Sequence, residues 1–296
     1  MSREMREEMV MAPSRAEPVL THPDRLFWPG VTKGDLAAYW RAMAPVAMPG
    51  LDARPLAILR CPDGVAGPRF FQKHARSVLP AAIRSGTLLG QPYLAIDDAR
   101  GLRAMAQIAA LELHAWQVTE RDPEHPDRLV FDLDPGEDLP FASVVEAAHI
   151  VRDHLAGIGL ASFCRTTGGH GLHVVVPLSR KAGWAHVRDF AHETSMTLVQ
   201  VHPALFVATP RKEARRAHIF IDWLRNGPGA TAIASYSPRA RPGATVATPL
   251  AWEEVNPGLD PDVWTLHSVP RRVTAQPDPW AGYGDMVQDV PCTQAE

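Results

Sequence analysis

Apolar residues recur along this chain in two rhythms. Leu36, Tyr39, Trp40 and Met43 fall three and four apart and predict a helix over 36–48, with Thr32 or Asp35 as its cap and Pro49-Gly50 as its stop. Val144, Val145, Ala148 and Val151 repeat that spacing and predict a helix over 141–155, with His149 and His154 on its solvated parts and Gly157 to Gly159 ending it. Two more helical stretches are expected over 100–113 and 184–201. Between them lie short apolar runs closed by Gly or Pro, which predict strands over 55–60, 93–96, 129–134, 161–165, 172–178, 218–223 and 232–236. Residues 121–127 form a polar loop, and the Pro-rich C-terminal part is expected to wind over the surface. Strands interleaved with helices make this an α/β chain without internal repeats.

One strand ends in chemistry. In Leu129-Val130-Phe131-Asp132-Leu133-Asp134-Pro135-Gly136, side chains alternate faces, so Asp132 and Asp134 share one face and Leu133 takes the other. Neighbouring carboxylates repel in a low-dielectric site, and a hard divalent cation with oxygen ligands offsets that repulsion. A bare D-x-D is short, and its ordinary reading is one turn cap and one solvated carboxylate. Two further stretches change that balance. Thr166-Thr167-Gly168-Gly169-His170-Gly171 joins two strands as a hairpin. It is no P-loop, since no helix follows the glycines and no G-K-[ST] is present. His218-Ile219-Phe220-Ile221-Asp222-Trp223 is a strand ending in a third aspartate. It lies in a basic region, 205–245, of net charge +5. Three carboxylates for divalent metal, with cations for phosphates, are what nucleotidyl transfer needs.

Other candidates are weaker by themselves. Phe70-Phe71-Gln72-Lys73-His74 pairs aromatics with cationic groups and, if exposed, suits base stacking. Spacing alone favours two core phenylalanines. His114 reads as a satisfied, partly buried histidine. Lys33 and Arg25 flank a loop ahead of a helix N-terminus, where free N–H groups favour an anion.

Length and composition set the frame. The 296 residues suffice for a sizeable core, and 46% hydrophobic with 21% charged residues is ordinary for a globular protein. No apolar run is long enough for a membrane helix, and residues 1–17 are charged and expected to be a disordered lead. Cys61, Cys164 and Cys292 are scattered, which argues for a reducing cytosol rather than a disulfide framework. The net charge of −3 means that any nucleic-acid contact must come from local patches.

The segments Asp-Leu-Asp-Pro, Thr-Gly-Gly-His-Gly-Leu-His and Ile-Asp-Trp-Leu-Arg-Asn together resemble motifs I to III of the archaeo-eukaryotic primase superfamily. Thr-Lys-Gly-Asp-Leu, Phe-Phe-Gln-Lys and Tyr-Ser-Pro-Arg-Ala-Arg-Pro-Gly extend the resemblance to the polymerase domain of bacterial DNA ligase D, from about His22 to about Trp264. The resemblance implies a single domain over 18–296. Its fold would be compact, two-lobed and α/β, with a mixed, mainly antiparallel catalytic sheet flanked by helices. Asp132, Asp134 and Asp222 would hold Mn²⁺ or Mg²⁺ and serve catalysis. Thr167, His170, His173, Arg215, Arg225, Arg239 and Arg60 would hold the nucleotide. His22, Arg25, Lys33, Phe70 and Phe71 would hold DNA, with the phenylalanines on template bases and Arg25 and Lys33 on a downstream 5′-phosphate. His170 stands where the family usually has Lys or Arg, His22 where Asn is frequent, and Arg225 where a small or polar residue is frequent.

The implied activity is template-dependent gap filling and extension of broken DNA ends with a preference for ribonucleotides, in double-strand break repair by end joining. The implied partners are nucleoside triphosphates, 5′-phosphorylated gapped or broken duplexes, a Ku-type end-binding protein and an ATP-dependent DNA ligase. The expected place is the bacterial cytosol or nucleoid, with no membrane. Two readings compete. A primase-polymerase starting chains de novo shares the site and is separated by unprimed dinucleotide synthesis. A non-catalytic end-bridging module would not need the three aspartates.

Overall fold

The computed structural model describes residues 17–75 and 78–291; apart from Glu17, the expected lead lies outside them. Among the described residues, two six-stranded sheets, a two-stranded one (Leu26–Trp28 with Val31–Thr32) and five α-helices build two lobes around separate apolar clusters. The first sheet contains strands Leu56–Arg60, Phe70–Gln72, Arg84–Leu88, Gln91–Ala95, Ala110–Ala115 and Ala232–Ile233, all antiparallel. Helices Lys33–Ala47 and Ala99–Gln107 pack with it over Leu36, Trp40, Met43, Leu102 and Met105.

The first helix starts as expected. Thr32 accepts from the Asp35 amide at 3.1 Å and Asp35 accepts from the Thr32 amide at 2.8 Å, so both candidate caps serve in one capping box. The predicted helix over 100–113 is corrected. It ends at Gln107, Ala109 turns into the left-handed region at φ +60°, and Ala110–Ala115 is a strand. Alternation of Leu111, Leu113 and Ala115 with Glu112 and His114 suits that strand, which runs between Leu56–Arg60 and Ala232–Ile233.

The second sheet has the order Phe206–Val207, Ile219–Asp222, Arg128–Pro135, Leu172–Pro177, Phe163–Thr166, Pro249–Leu250. Only its first pair is parallel. Helices Phe141–Gly157 and Trp184–Val201 cover it, and Leu129, Phe131 and Leu133 point into their cluster. One expectation is corrected here and one is refined. His149 and His154 are half-buried, His149 bonding the Val255 carbonyl at 2.5 Å. The Pro-rich end contains a helix, Ser268–Ala275, anchored by buried Val269 and by an Arg272–Glu254 ion pair at 2.5 Å. Among the described residues, no helix is long and apolar enough to cross a membrane.

Candidate active site

Register assembles the site. In the second sheet Asp222 pairs with Asp132, Asp132 with His173, and His173 with Arg165. Four chemistry-bearing residues therefore stand in one row across four strands, on the face opposite Leu133. A one-residue slip of any strand would turn its member to the other face.

The row is knitted by hydrogen bonds. Arg165 donates to His173 Nδ1 from Nε at 3.1 Å and from a terminal nitrogen at 3.0 Å. That makes Nδ1 the acceptor, so the ring proton sits on Nε2, which lies 3.2 Å from Asp132 Oδ1. Burial lowers the His173 pKa to about 4 although Asp132 opposes the shift, so the ring is neutral at neutral pH. Burial favours a protonated Asp132, but His173 and Arg225 more than offset it and hold this carboxyl below the usual range. Asp222 moves the other way: burial and the Asp132 charge raise it against the pull of Arg225.

Arg225 binds both ends of this negative charge, with Nε 3.0 Å from Asp132 Oδ2 and a terminal nitrogen 3.0 Å from Asp222 Oδ2. Its turn, Trp223–Asn226, is fixed by Asn226, which is fully buried and exchanges two 2.8 Å hydrogen bonds with the Val130 backbone. Arg215 pairs with Asp134. Its loop reaches there because Gly136 has no Cβ to strike the Arg215 carbonyl.

The Gly-rich turn forms the opposite wall. Thr167 Oγ1 accepts from the Gly169 and Gly171 amides at 3.2 and 3.3 Å, closing the turn on itself. Gly168 has φ +65°, and a Cβ there would lie 2.7 Å from Arg239 Cγ. Arg239 donates to the Thr167 carbonyl at 2.6 Å and pairs with Glu112 at 3.2 Å. Arg241 lies 2.7 Å from His170 Nε2. The resulting cavity, about 530 Å³, is lined by Asp132, Asp134, Thr167, His170, His173, Arg225 and Arg239, and also by His114, Glu137 and Arg241.

Of the expected nucleotide residues, Arg60 alone stands apart, bonding the Ile108 carbonyl at 2.7 Å and Gln72 at 3.0 Å in the first sheet. Asp222 and Arg215 do not line this cavity and join it through their ion pairs with Arg225 and Asp134; Arg215 lines an adjoining cavity that shares Pro135, Gly136 and Glu137. His114 and Arg241 carry the features sequence reading passed over. His114 bonds Glu112 at 2.8 Å and touches Phe71 edge-on at 5.3 Å; the alternation of 110–115 was the available signal. Arg241 was visible only as one charge in a basic stretch.

The DNA candidates lie elsewhere. Phe70 and Phe71 are 43% and 48% exposed, so the core reading of that pair is corrected. Arg25 is exposed, bonding the Pro62 carbonyl at 3.0 Å. Lys33 is buried and donates to the Thr21 carbonyl at 2.8 Å. The free helix N-terminus expected here is not free: the amides of Lys33, Gly34 and Asp35 are taken by the Arg25 carbonyl, the Pro23 carbonyl and Thr32 Oγ1. His22 is exposed at φ 51°.

Three hard carboxylates suit a divalent cation in type and in number. Among the described residues, however, no three acidic, His or Cys side chains form a ready metal cage, because Arg225 occupies a cation's place between Asp132 and Asp222 while Arg215 holds Asp134.

Residues 32–280 match the family model described as LigD, primase-polymerase domain. The multifunctional non-homologous end joining protein LigD of Pseudomonas aeruginosa is 37% identical over 279 residues, covering 92% of this chain and 33% of that protein. The corresponding LigD of Mycobacterium tuberculosis is 39% identical over 254 residues, covering 80% and 33%. The chain thus spans about a third of the length of these relatives. The polymerase domain of Mycobacterium tuberculosis ligase D, solved in complex with DNA, superposes with a TM-score of 0.85 at 36% identity, covering 93% of this chain and all of that one.

Proposed function

Because this chain belongs to the LigD primase-polymerase family, whose model matches it over residues 32–280, we propose that it is a template-dependent nucleotidyltransferase that fills gaps and extends broken DNA ends in end joining. The family is one of metal-dependent nucleotidyltransferases. The observation that carries the reading is the cross-strand row Asp222–Asp132–His173, of which Asp132 and His173 line a cavity rimmed by Arg225, Arg239 and Arg241.

Asp132, Asp134 and Asp222 would hold Mn²⁺ or Mg²⁺, which when bound activates the attacking hydroxyl and stabilises the leaving pyrophosphate. The chain's own residues do the rest. Arg165 fixes the His173 tautomer, and His173 donates to Asp132, orienting that carboxylate with its negative charge intact. Arg239 and Arg241, on the cavity lining, would offer guanidinium groups to a triphosphate, with His170 beside Arg241. Phe71, against His114 at the cavity wall, and Phe70 offer rings for template bases. Arg25 and Lys33 would serve a downstream 5′-phosphate. Nucleoside triphosphates, with ribonucleotides preferred, and 5′-phosphorylated DNA ends are the substrates. A Ku-type end-binding protein and an ATP-dependent ligase are the partners, in the bacterial cytosol or nucleoid.

Primer extension on a gapped, 5′-phosphorylated duplex tests this, with ribo- and deoxynucleotides under Mg²⁺ and Mn²⁺. Templated addition with preference for ribonucleotides is expected. Failure to add any nucleotide with either metal would overturn the reading.

A further inference from the structure

A second cavity, of about 610 Å³, opens where the two lobes and the C-terminal segment meet, and no residue lines both it and the catalytic cavity. Arg128, on its wall, begins the strand that carries Asp134 six residues later, a distance of roughly 20 Å at strand rise. No step of nucleotide addition draws on this place.

Its wall gathers arginines around one aspartate. Three guanidinium groups converge on the single carboxylate of Asp127. Arg54 binds it with two hydrogen bonds, at 3.0 and 2.6 Å, while Arg128 and Arg180 each reach it at 3.2 Å. Arg54 is fully used, since it also donates to the carbonyls of Gly50, Trp116 and Val118. Arg128 is not. It is 8% exposed, Nε alone meets Asp127, and its two terminal nitrogens have no partner among the described residues. Those terminal nitrogens are not among the buried unpaired atoms, so they stay open to solvent and free to take an acceptor.

Independent features at the same wall point to that acceptor. Thr119 is 5% exposed and lines the cavity, and its Oγ1 has no hydrogen-bond partner. The Tyr283 hydroxyl, on the same lining, is likewise buried and unpaired. Arg180 holds φ +59°, a left-handed backbone uncommon for a non-glycine residue, with its side chain at the rim. Arg54, Arg121, Arg128 and Arg180 stand against Asp52, Asp127 and Asp278 on the lining, an excess of one positive charge, and with the unmet N–H and O–H donors this matches a phosphomonoester, whose oxygens accept several charge-assisted hydrogen bonds. Apolar residues Pro45, Pro49, Met286 and Val287 line the rest, and the volume suits a body of nucleotide size.

We propose that this cavity is a second binding site, taking a phosphomonoester on a small organic body, such as a nucleoside monophosphate. The site is separate from the polymerase centre and does not depend on its assignment.

Calorimetric titration with adenosine 5′-monophosphate and with adenosine, in EDTA so that no divalent metal contributes, tests it. Binding of the monophosphate at least about tenfold tighter than adenosine is expected, because the phosphate carries the charged contacts. Arg180→Ala, at the exposed rim where folding is not at stake, should weaken it about fivefold or more. Thr119→Val, which keeps the side-chain shape, should weaken it about threefold. Arg239→Ala, in the catalytic cavity, should leave it within about twofold. Equal affinity for monophosphate and adenosine, no binding of either, unchanged affinity in both cavity variants, or loss in Arg239→Ala would each overturn the proposal.

Discussion

The two sheets differ in what they leave open to solvent. In the second sheet almost every charge is answered within the chain: Asp132 by His173 and Arg225, Asp222 by Arg225, Asp134 by Arg215, and His173 by Arg165. In the first sheet Phe70 and Phe71 stand open to solvent, with the Phe71 ring resting on His114. The difference follows from what each group costs. A buried carboxylate without a partner is far more expensive than an exposed ring. Charges must therefore be arranged before a substrate comes, while aromatic rings can wait for one.

The largest test removes the centre of the arranged side. Asp132→Ala should cut nucleotide addition by about a thousandfold or more in primer extension, with gapped-DNA affinity within about twofold, because the carboxylate serves chemistry rather than the duplex. If DNA binding fell as far as activity, the contrast between the sheets would fail.

Next comes Arg239, which links the Thr167 carbonyl of the Gly-rich turn, at 2.6 Å, to Glu112. Glu112 belongs to the first sheet and meets Arg239 at 3.2 Å and the Ala240 amide at 2.8 Å. Glu112→Ala leaves Arg239 without its carboxylate and should cost about 3 kcal/mol in denaturant unfolding. Burial disfavours the Glu112 anion, yet His114, Arg239 and the Ala240 amide outweigh it and set its pKa at about 2. A folded pKa below the unfolded one adds stability that is fully present above about pH 4.5 and is lost as pH falls toward 2. Unfolding curves of Glu112→Gln should lose that part of the acid dependence. An unchanged acid slope would remove Glu112 from the account.

On the open side the effects are smaller and fall on binding. Phe70→Ala and Phe71→Ala should each weaken template affinity by about tenfold, as loss of one base stack does. Each should shift stability by less than about 0.5 kcal/mol, since exposed rings give up little packing. A stability loss comparable to Glu112→Ala would mean that the rings belong to the core.

The smallest expected change concerns the loop ahead of the first helix. Arg25→Ala should lower the preference for a 5′-phosphate over a 5′-hydroxyl at a gap by about threefold and shallow the salt dependence by about one unit of slope. Equal affinity of the unmutated protein for the two ends would set that contact aside.

Much of this was legible in the sequence, and the failures share a cause. The capped first helix, the D-x-D strand, the Gly-rich hairpin and the helix Trp184–Val201 follow from local spacing, and they stand where spacing put them. The strand Ala110–Ala115 was hidden because an apolar stretch after a helix continues either rhythm, and strand neighbours decided. The exposure of Phe70 and Phe71 was equally invisible, since a pair of rings gives no sign of what lies over it. Residue types named Asp132 and Asp222 as candidates, but only register made them neighbours. Arg165, which orients His173, and Arg241 beside His170 act through contacts eight and seventy-one residues away in sequence.

The row across four strands has a consequence for how the molecule comes into being. Its members lie up to ninety residues apart along the chain, and they meet only when Ile219–Asp222, Arg128–Pro135 and Leu172–Pro177 have paired in the right frame. Partial pairing gives no partial centre. A nascent chain that has closed only the hairpin owns one aspartate pair and a histidine but lacks the third carboxylate, so competence arrives in a single late event rather than by degrees. First turnover is then a timestamp for completed folding.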